Sequence, residues 1–329
     1  MKVLFHSYNL NLRGTTVAIR DYARYNQEIL GNESIISYNL SYSNDNRGQA
    51  LPHVDGANDP DIVKEFQKEF EVRHISGSHF DPSLFEPLLR DIDVAYYMKV
   101  GFVEPLPNHP RNCVHSVFAY DVPFGDRFAY ISDWLSNHLT NGKVPAVPYI
   151  VNLPQPNGDF REKLGISKDK IVFGRLGGYW DFGHNIEWTR TAIINMLNKR
   201  DDIVFLMGNS FKWYEHPNLI YLDGFSDLQT KSNFINTCDA MIHSRDNGES
   251  FGLAMSEFLY FNKPVLAWSG GNDQNHVEFL KGTGLLYDNQ EDLERKILDI
   301  KSFNGDYYKI VERFNPKDVM QKFKSVFLD

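Results

Sequence analysis

A chain of 329 residues exceeds the usual size of a single hydrophobic core, so two domains are expected. Hydrophobic residues at 42% and charged residues at 23% are typical of a soluble globular protein. The net charge of −9 and the isoelectric point of about 5.7 argue against nucleic-acid binding as the main activity.

The two cysteines, Cys113 and Cys238, form neither a metal-binding spacing nor a disulfide framework, which fits a reducing compartment. No apolar run reaches the ~20 residues of a transmembrane helix, and the apolar stretch at residues 1–5 is too short for a signal peptide. These features predict a cytoplasmic protein with no integral membrane segment.

The first half of the chain alternates predicted strands with predicted helices. Strands are expected at residues 2–8, 34–40, 71–75, 94–99, 112–118 and 128–131. Helices are expected at residues 61–70 and 83–90, after a cap at Ser132, and after a cap at Thr15 or Thr16. The polar residues 41–59 are expected to form a long loop.

Four prolines, Pro145, Pro148, Pro154 and Pro156, then punctuate the chain, which predicts a domain boundary with a hinge near residues 152–157. In the second half, strands are expected at 171–176, 203–207, 219–222, 240–243 and 265–268. Helices are expected at 185–197, 227–237, 254–261 and 314–328. This alternation predicts two α/β domains of the Rossmann type. Neither half has a G-x-G-x-x-G sequence after its first strand, which argues against a dinucleotide oxidoreductase.

The stretch from residue 240 to residue 271 carries the most informative chemistry. A buried strand at 240–243 is followed by seven mostly polar residues, then by an apolar helix that Pro264 ends. In such a unit the carboxyl end of the strand and the amino end of the helix face one crevice, where backbone N–H groups favour an anion. Glu249 lies just before this anion site, and Glu257 lies inside the helix.

Glu249 and Glu257 are separated by seven residues that include Ser250-Phe251-Gly252-Leu253, and Lys263-Pro264-Val265 and Gly270-Gly271 follow. This combined pattern resembles the E-x7-E signature of the retaining GT-B glycosyltransferases (glycosyl transferases group 1). The resemblance implies an α/β protein of two facing Rossmann-like domains with a crevice between them. The alternative is an ordinary amphipathic helix with Glu257 on its exposed face.

The resemblance implies a domain organisation and a set of donor contacts. Residues 1–153 would form an acceptor-side domain, residues 154–315 would bind a nucleotide sugar, and the terminal helix 316–329 would pack back on the first domain. Glu249 would be the catalytic residue that touches the transferred sugar, and Glu257 would meet the donor ribose. The other implied donor-binding residues are Arg175, Gly208, Asp223, Gly224, Phe225, Ser250, Phe251, Gly252 and Leu253.

Arg175 matches the arginine with which the family binds the donor diphosphate, since a guanidinium suits bidentate phosphate contact. The family normally has a lysine five or six residues later, where this chain has Trp180 and Asp181. We consider three basic side chains as substitutes for that lysine: Arg190, His184 and Arg245. Alternatively, the backbone amides at 251–253 alone would stabilise the leaving diphosphate.

The first domain is expected to add a loop and one polar group. Arg13, Gly14 and Thr15 resemble the N-terminal loop of the family and would meet phosphate or acceptor, although Gly14 alone also fits a plain turn. His115, Asp121 and His79 are the alternatives for a polar group near the sugar, each also compatible with a structural role.

Asp91-Ile92-Asp93 has the D-x-D form with which GT-A glycosyltransferases hold a metal, but it fits a helix end before a strand better. We therefore expect no metal site. The expected co-substrate is a nucleotide-diphosphate sugar of UDP or GDP type, with no other cofactor.

The expected function is transfer of a sugar from that donor to a hydroxyl on a glycan or other acceptor, with retention of anomeric configuration. A nucleotide-sugar epimerase on the same fold and a non-catalytic sugar-nucleotide-binding protein are the alternatives. Nucleic acid is not an expected partner, and the sequence gives no oligomeric state.

Overall fold

The computed structural model describes residues 1–40, 58–78, 80–119 and 122–329. The chain divides into two units. One unit contains Met1–Ile150 together with Phe314–Asp329, and the other contains Val151–Arg313. The first and last residues of the chain therefore belong to the same unit.

The first unit is built on a six-stranded parallel sheet. Its strands are β1 (Lys2–His6), β2 (Glu33–Asn39), β3 (Glu71–Ile75), β4 (Val94–Lys99), β5 (Asn112–Ser116) and β6 (Arg127–Tyr130), in the spatial order β3-β2-β1-β4-β5-β6. This is the Rossmann strand order. From β1 the chain adds β2 and β3 on one side of the sheet and then β4, β5 and β6 on the other side, so the strand order reverses between β1 and β4. All six residues of β4 are buried, as expected for a parallel strand covered on both faces.

The helices of this unit that precede residue 150 are α1 (Gly14–Glu28), α2 (Pro60–Glu69), α3 (Glu86–Leu89) and α4 (Asp133–Thr140). The predicted cap of α4 is confirmed, because the Ser132 side chain accepts a hydrogen bond from Leu135 N. The predicted threonine cap of α1 is wrong. The helix starts at Gly14 after Arg13, since Thr16 instead accepts a hydrogen bond from Asn11 N.

The second unit repeats the arrangement in a sheet of order β14-β12-β10-β7-β8-β9. Its strands are β7 (Ile171–Arg175), β8 (Ile203–Gly208), β9 (Leu219–Leu222), β10 (Ala240–His243), β12 (Val265–Trp268) and β14 (Leu286–Tyr287). A separate parallel pair joins β11 (Gly248–Glu249) to β13 (Asp273–Gln274). The sequence did not predict β11, β13 or β14, because two-residue strands leave no apolar periodicity.

The helices of the second unit are α5 (Trp188–Lys199), α6 (Leu228–Thr237), α7 (Leu253–Tyr260), α8 (Asn275–Leu280), α9 (Gln290–Leu298) and α10 (Tyr308–Val311). Helix α7 begins at Leu253, one residue before the predicted start at residue 254. Gly252 precedes its first turn with a φ of 89°, a left-handed conformation that a residue with a side chain rarely adopts.

The final helix, α11 (Pro316–Phe323), is capped by Asn315 and continues into a π-helical turn at Lys324–Leu328. The ring of Phe323 packs 5.2 Å from the ring of Tyr22 and 5.2 Å from that of Tyr96, between centroids. Arg111 Nη1 donates to the carbonyl of Leu328 at 2.6 Å. The end of the chain thus completes the core of the first unit.

Within the described residues, no helix combines the length and the apolar character needed to cross a membrane.

Candidate functional site

The carboxyl ends of the strands in the second unit carry several of the residues singled out in the sequence, together with His243. Arg175 ends β7, Gly208 ends β8, Asp223 directly follows β9, and His243 ends β10. Because these strands are parallel, their carboxyl ends form one edge of the sheet, where α/β proteins bind ligands.

Glu249 is held at this edge by two basic side chains. Its Oε1 contacts His243 Nε2 at 2.8 Å, and its Oε2 lies 3.4 Å from Arg245 Nη1. Burial acts to raise the pKa of Glu249, but the hydrogen bond to His243 and the charge of Arg245 outweigh it and hold the pKa at about 2. The carboxylate is therefore ionised at neutral pH, with 19% of its side chain exposed.

A second histidine fixes the backbone of Glu249. The N–H of Glu249 donates to His276 Nδ1 at 3.3 Å, and His276 Nε2 lies 2.8 Å from the carbonyl of Trp268, to which it donates. A ring that accepts at Nδ1 and donates at Nε2 is neutral. Burial lowers the pKa of His276 to about 4, in agreement with that state.

The turn before Glu249 requires a glycine. Gly248 has a φ of 72°, and a Cβ at this position would collide with the carbonyl oxygen of Asp273 on the paired strand β13. Close pairing of β11 with β13 thus depends on a residue without a side chain. This pairing brings Glu249 next to Gln274 and places His276, at the start of α8, beneath it.

Glu257 is buried in α7 and paired with a lysine that the sequence did not predict. Lys231 Nζ lies 2.7 Å from Glu257 Oε1, and the two side chains are 11% and 5% exposed. Oε2 of Glu257 has no hydrogen-bond partner among the described residues. The alternative prediction, an amphipathic helix with Glu257 on its exposed face, is therefore wrong. Its neighbour Ser256 is also fully buried. No motif in the sequence marks Lys231, which lies in the middle of α6.

The amino end of α7 contains the other residues predicted to meet the donor phosphates. Gly252 lies just outside the helix and Leu253 is its first residue, so the amides of the first turn have no acceptor within the helix. Ser250 and Phe251 are 7% and 2% exposed, and the Phe251 carbonyl accepts from Asn275 Nδ2 at 2.7 Å. Asn275, the first residue of α8, thus holds the backbone of this turn in place.

Arg175 is 3% exposed and is already engaged with the backbone. Nη1 donates to the carbonyls of Gly208 and Asn209 at 3.2 and 2.7 Å, and Nη2 donates to that of Gly178 at 2.5 Å. Burial lowers the pKa of Arg175 to about 10, partly offset by Asp181 and Glu249, so the group stays charged at neutral pH. Three of the five guanidinium N–H donors are in use, which leaves two.

The three basic side chains considered as substitutes for the absent lysine lie in different surroundings. Arg245 contacts both Glu249 and Asp181, the latter at 3.5 Å. Arg190 Nη2 donates to the carbonyl of Gly183, and His184 is 62% exposed beside Asp246. Of these three, the structure brings only Arg245 into contact with Glu249.

The residues predicted near the nucleobase lie at the ends of β8 and β9. Gly208 is closely packed, because a Cβ there would come within 2.6 Å of the Leu176 side chain. Asp223 is exposed, whereas Gly224 is half-buried and Phe225 packs with its ring centroid 5.2 Å from that of Phe234. An exposed carboxylate therefore lies two residues from a half-buried ring.

In the first unit, Arg13, Gly14 and Thr15 form the start of α1. His115 lies in the core, fully buried, with Nδ1 2.6 Å from the hydroxyl of Tyr96 and its ring against Phe327. Burial lowers the pKa of His115 to about 4. The structure thus gives His115 a core position rather than an accessible one.

Two further candidates for the polar group, Asp121 and His79, lie outside the described residues. An ion pair that the sequence did not predict lies at the end of β4. Lys99 Nζ contacts Glu104 Oε2 at 2.6 Å with both side chains at most 2% exposed, and Tyr8 also donates to Glu104.

The two aspartates of the D-x-D sequence have local partners. Asp91 accepts from Arg73 and from Lys2 Nζ, which hold its pKa well below its usual range, and Asp93 accepts from the backbone N–H of Lys2. In the described ranges, no group of three or more His, Cys, Asp or Glu side chains is arranged to hold a metal ion.

No protein-family model matches the sequence, and neither does any curated protein. Solved structures do match. HepE from Anabaena in complex with UDP-glucose aligns with a TM-score of 0.68 at 12% identity, covering 99% of both chains. The chain has the GT-B fold. WaaG, a glycosyltransferase involved in lipopolysaccharide biosynthesis, aligns with a TM-score of 0.62 at 11% identity, over 99% of this chain and 100% of WaaG.

The GT-B fold is also shared by a protein of a different class. A protein from Listeria monocytogenes described as a UDP-N-acetylglucosamine 2-epimerase aligns with a TM-score of 0.60 at 12% identity, over 99% of this chain and 96% of the other. The fold alone therefore does not separate transfer from epimerisation, and that distinction depends on the site.

Proposed function

We propose that this protein is a glycosyltransferase that moves a sugar from a nucleotide-diphosphate sugar to a hydroxyl acceptor with retention of anomeric configuration. One observation carries the proposal. The carboxylate of Glu249 is held ionised by His243 and Arg245 at the strand edge, four residues before Leu253, the first residue of α7. A sugar and a diphosphate joined to each other would be bound side by side there.

Each residue is proposed to contact a different part of the donor. Glu249 would accept hydrogen bonds from hydroxyls of the transferred sugar. The amides of the first turn of α7, at Leu253 and beyond, would stabilise the charge that develops on the leaving diphosphate. The free Oε2 of Glu257 would accept from a ribose hydroxyl, while Lys231 keeps Oε1 in place. Catalysis would rest on positioning and on electrostatic stabilisation.

Arg175 is proposed to reach the diphosphate with the two N–H donors that the carbonyls do not use. Gly208, Asp223, Gly224 and Phe225 are proposed to border the nucleobase. Arg13, Gly14 and Thr15 remain the proposed loop for acceptor or phosphate. Because similar structures contain UDP or UDP-glucose, UDP donors are the first to test.

The proposed reaction uses no divalent metal, because the helix amino end and nearby arginines supply positive potential where the leaving group develops charge. A cytoplasmic location also remains a prediction from composition.

The experiment is incubation with a panel of UDP and GDP sugars, with and without a panel of glycan acceptors, followed by mass spectrometry and by NMR of the anomeric proton. The Glu249→Gln variant serves as the matched inactive control. A product with unchanged anomeric configuration that forms only with acceptor supports the proposal. A product with inverted configuration removes retention but not transfer.

The epimerase alternative is favoured by the similar Listeria protein alone. It predicts a new nucleotide sugar in the absence of any acceptor, which the same incubation detects. Tight donor binding without any product would point to a non-catalytic sugar-nucleotide-binding protein.

A further inference from the structure

Next to the candidate site, the second unit exposes a group of aromatic rings that neither Glu249 nor Glu257 accounts for. Trp180 is 52% exposed, and its ring stacks on that of Phe211 at 5.2 Å with an interplanar angle of 29°. Tyr179 meets the Trp180 ring edge-on at 4.9 Å. Tyr179, Trp180 and Phe211 together are called the aromatic platform below. Trp180 occupies one of the two positions where the family that the sequence resembles normally has a lysine.

The two loops that carry the platform are fixed to each other. Phe211 N donates to the carbonyl of Tyr179 at 3.3 Å, and Asn209 Nδ2 donates to that of Gly177 at 2.9 Å. Arg175 ties both loops, because it donates to the carbonyls of Gly178 and Asn209. A ring surface held in this way loses little conformational freedom when a ligand binds, which favours affinity.

A chain of side-chain contacts connects the platform to Glu249. Asp181 follows Trp180 directly, and its Oδ2 lies 3.5 Å from Arg245 Nε. Arg245 Nη1 in turn lies 3.4 Å from Glu249 Oε2. A ligand ring on Trp180 would therefore lie one residue along the chain from a carboxylate that contacts Arg245, and Arg245 in turn contacts the carboxylate assigned to the transferred sugar.

These surroundings identify the class of ligand. A purely apolar ligand would desolvate Asp181 and Arg245 without replacing their hydrogen bonds with water, which is costly. A pyranose ring offers an apolar face of C–H groups for the indole and a rim of hydroxyls for the charged groups. Trp provides large, rigid contact area at low entropic cost, which suits such a face. A nucleobase would also stack, but its proposed position is at Gly208 and Phe225.

We propose that the aromatic platform binds the apolar face of a pyranose ring. The ring belongs either to the transferred sugar of the donor or to a saccharide acceptor. The assignment of the ring to a donor or an acceptor rests on the proposed function. Binding of a saccharide to Trp180 does not depend on it.

The test compares the parent with Trp180→Ala, Trp180→Phe and a matched control, Tyr308→Ala. Tyr308 is an exposed ring of the same unit, 40% accessible, that packs edge-on against Tyr260. Calorimetry measures dissociation constants for UDP, for UDP-glucose and related UDP sugars, and for neutral oligosaccharides without nucleotide. Initial rates give KM for any acceptor found with the panel above. Thermal melting confirms that each variant is folded.

We expect Trp180→Ala to weaken saccharide binding about tenfold, corresponding to about 1.4 kcal/mol, and Trp180→Phe and Tyr308→Ala to stay within about twofold of the parent. If the ring comes from the donor, Trp180→Ala weakens binding of the UDP sugar but not that of UDP. If it comes from the acceptor, both donor constants are unchanged and KM for the acceptor rises about tenfold.

Equal weakening for UDP and the UDP sugar would assign the platform to the nucleobase and overturn the proposal. If the parent binds UDP sugars and Trp180→Ala changes none of the dissociation constants or KM values, the platform proposal is overturned. The proposed function is then unaffected. A parent that binds no nucleotide sugar contradicts the proposed function instead. The oligosaccharide titrations then decide about the platform, and absence of Trp180-dependent binding there overturns this inference as well.

Discussion

Lys231 Nζ donates to Glu257 Oε1 at 2.7 Å inside the second unit, where the two side chains are 11% and 5% exposed. The pair joins the middle of α6 to the middle of α7. A buried ion pair adds little net stability, but removal of one partner leaves a charge without compensation. Lys231 thereby makes a buried carboxylate tolerable at the position proposed to meet the donor ribose.

The first prediction concerns this pair. Lys231→Met should lower the free energy of unfolding by about 3–5 kcal/mol, because Glu257 stays buried and unpaired. Urea unfolding measures it. Lys199→Met is the control, since Lys199 is 61% exposed in its pair with Glu294, and it should cost less than about 1 kcal/mol. The double variant Lys231→Met with Glu257→Met should recover stability relative to Lys231→Met. Equal small losses for Lys231→Met and Lys199→Met would contradict the prediction.

The second prediction separates the two glutamates by kinetics. Glu249→Gln should remove most turnover while donor binding survives, because its proposed contact is with the reacting sugar. Glu257→Gln should mainly raise the dissociation constant of the donor, because a ribose contact is shared by ground and transition states. Gln is used at 257 because Ala would also leave Lys231 unpaired. Steady-state rates and calorimetry provide the test, and near-parental values for both variants would reject the motif assignment.

The third prediction asks whether Arg175 contacts phosphate in addition to tying the loops. Arg175→Lys removes the planar fork and should weaken nucleoside diphosphate binding more than monophosphate or nucleoside binding. Loss of a hydrogen bond from a charged group costs about 1.5–3 kcal/mol. Titrations with nucleoside, monophosphate and diphosphate measure this. Equal weakening of all three ligands would show that Arg175 supports only the carbonyls of Gly178, Gly208 and Asn209.

The fourth prediction follows from the neutral His276. Its pKa of about 4 in the folded state lies below the ordinary value of 6.5, so the unfolded state binds the proton more readily. The stabilisation is therefore complete above pH 6.5 and is lost as the pH falls towards 4, by up to roughly 3 kcal/mol. The advantage of the parent over His276→Gln, measured by urea unfolding at several pH values, should shrink across this window. A constant difference between pH 7 and pH 4 would show that His276 does not titrate this way.

The fifth prediction is that transferase activity persists after removal of divalent metal. The amino end of α7 and the arginines at the strand edge supply the positive potential for the leaving group. Activity is measured after dialysis against EDTA, with Asp91→Asn and Asp93→Asn as companion variants. Complete loss that a metal restores, together with loss in those two variants, would instead assign a metal role to the D-x-D sequence.

The sequence by itself determined most of the strands and helices around the site, but not the two-residue strand β11 that carries Glu249 or the helix α8 that carries His276. Apolar runs such as 171–176 and 240–243 predicted buried parallel strands, because a strand covered on both faces has no polar alternation. The spacing of Glu249 and Glu257 and the glycine at 252 indicated a ligand site at a strand edge. These features are local, so composition and periodicity report them directly.

Only the tertiary structure decided the partners of those residues. Lys231 and Glu257 are 26 positions apart, and Glu249 and His276 are 27 apart. Such pairs form because parallel strands and their helices bring distant residues to one edge, which no local pattern records. The same holds for Arg175, whose neighbours are carbonyls of two loops, and for Trp180, whose exposure depends on how Phe211 packs beneath it. Backbone carbonyls carry no sequence signal, since every residue has one.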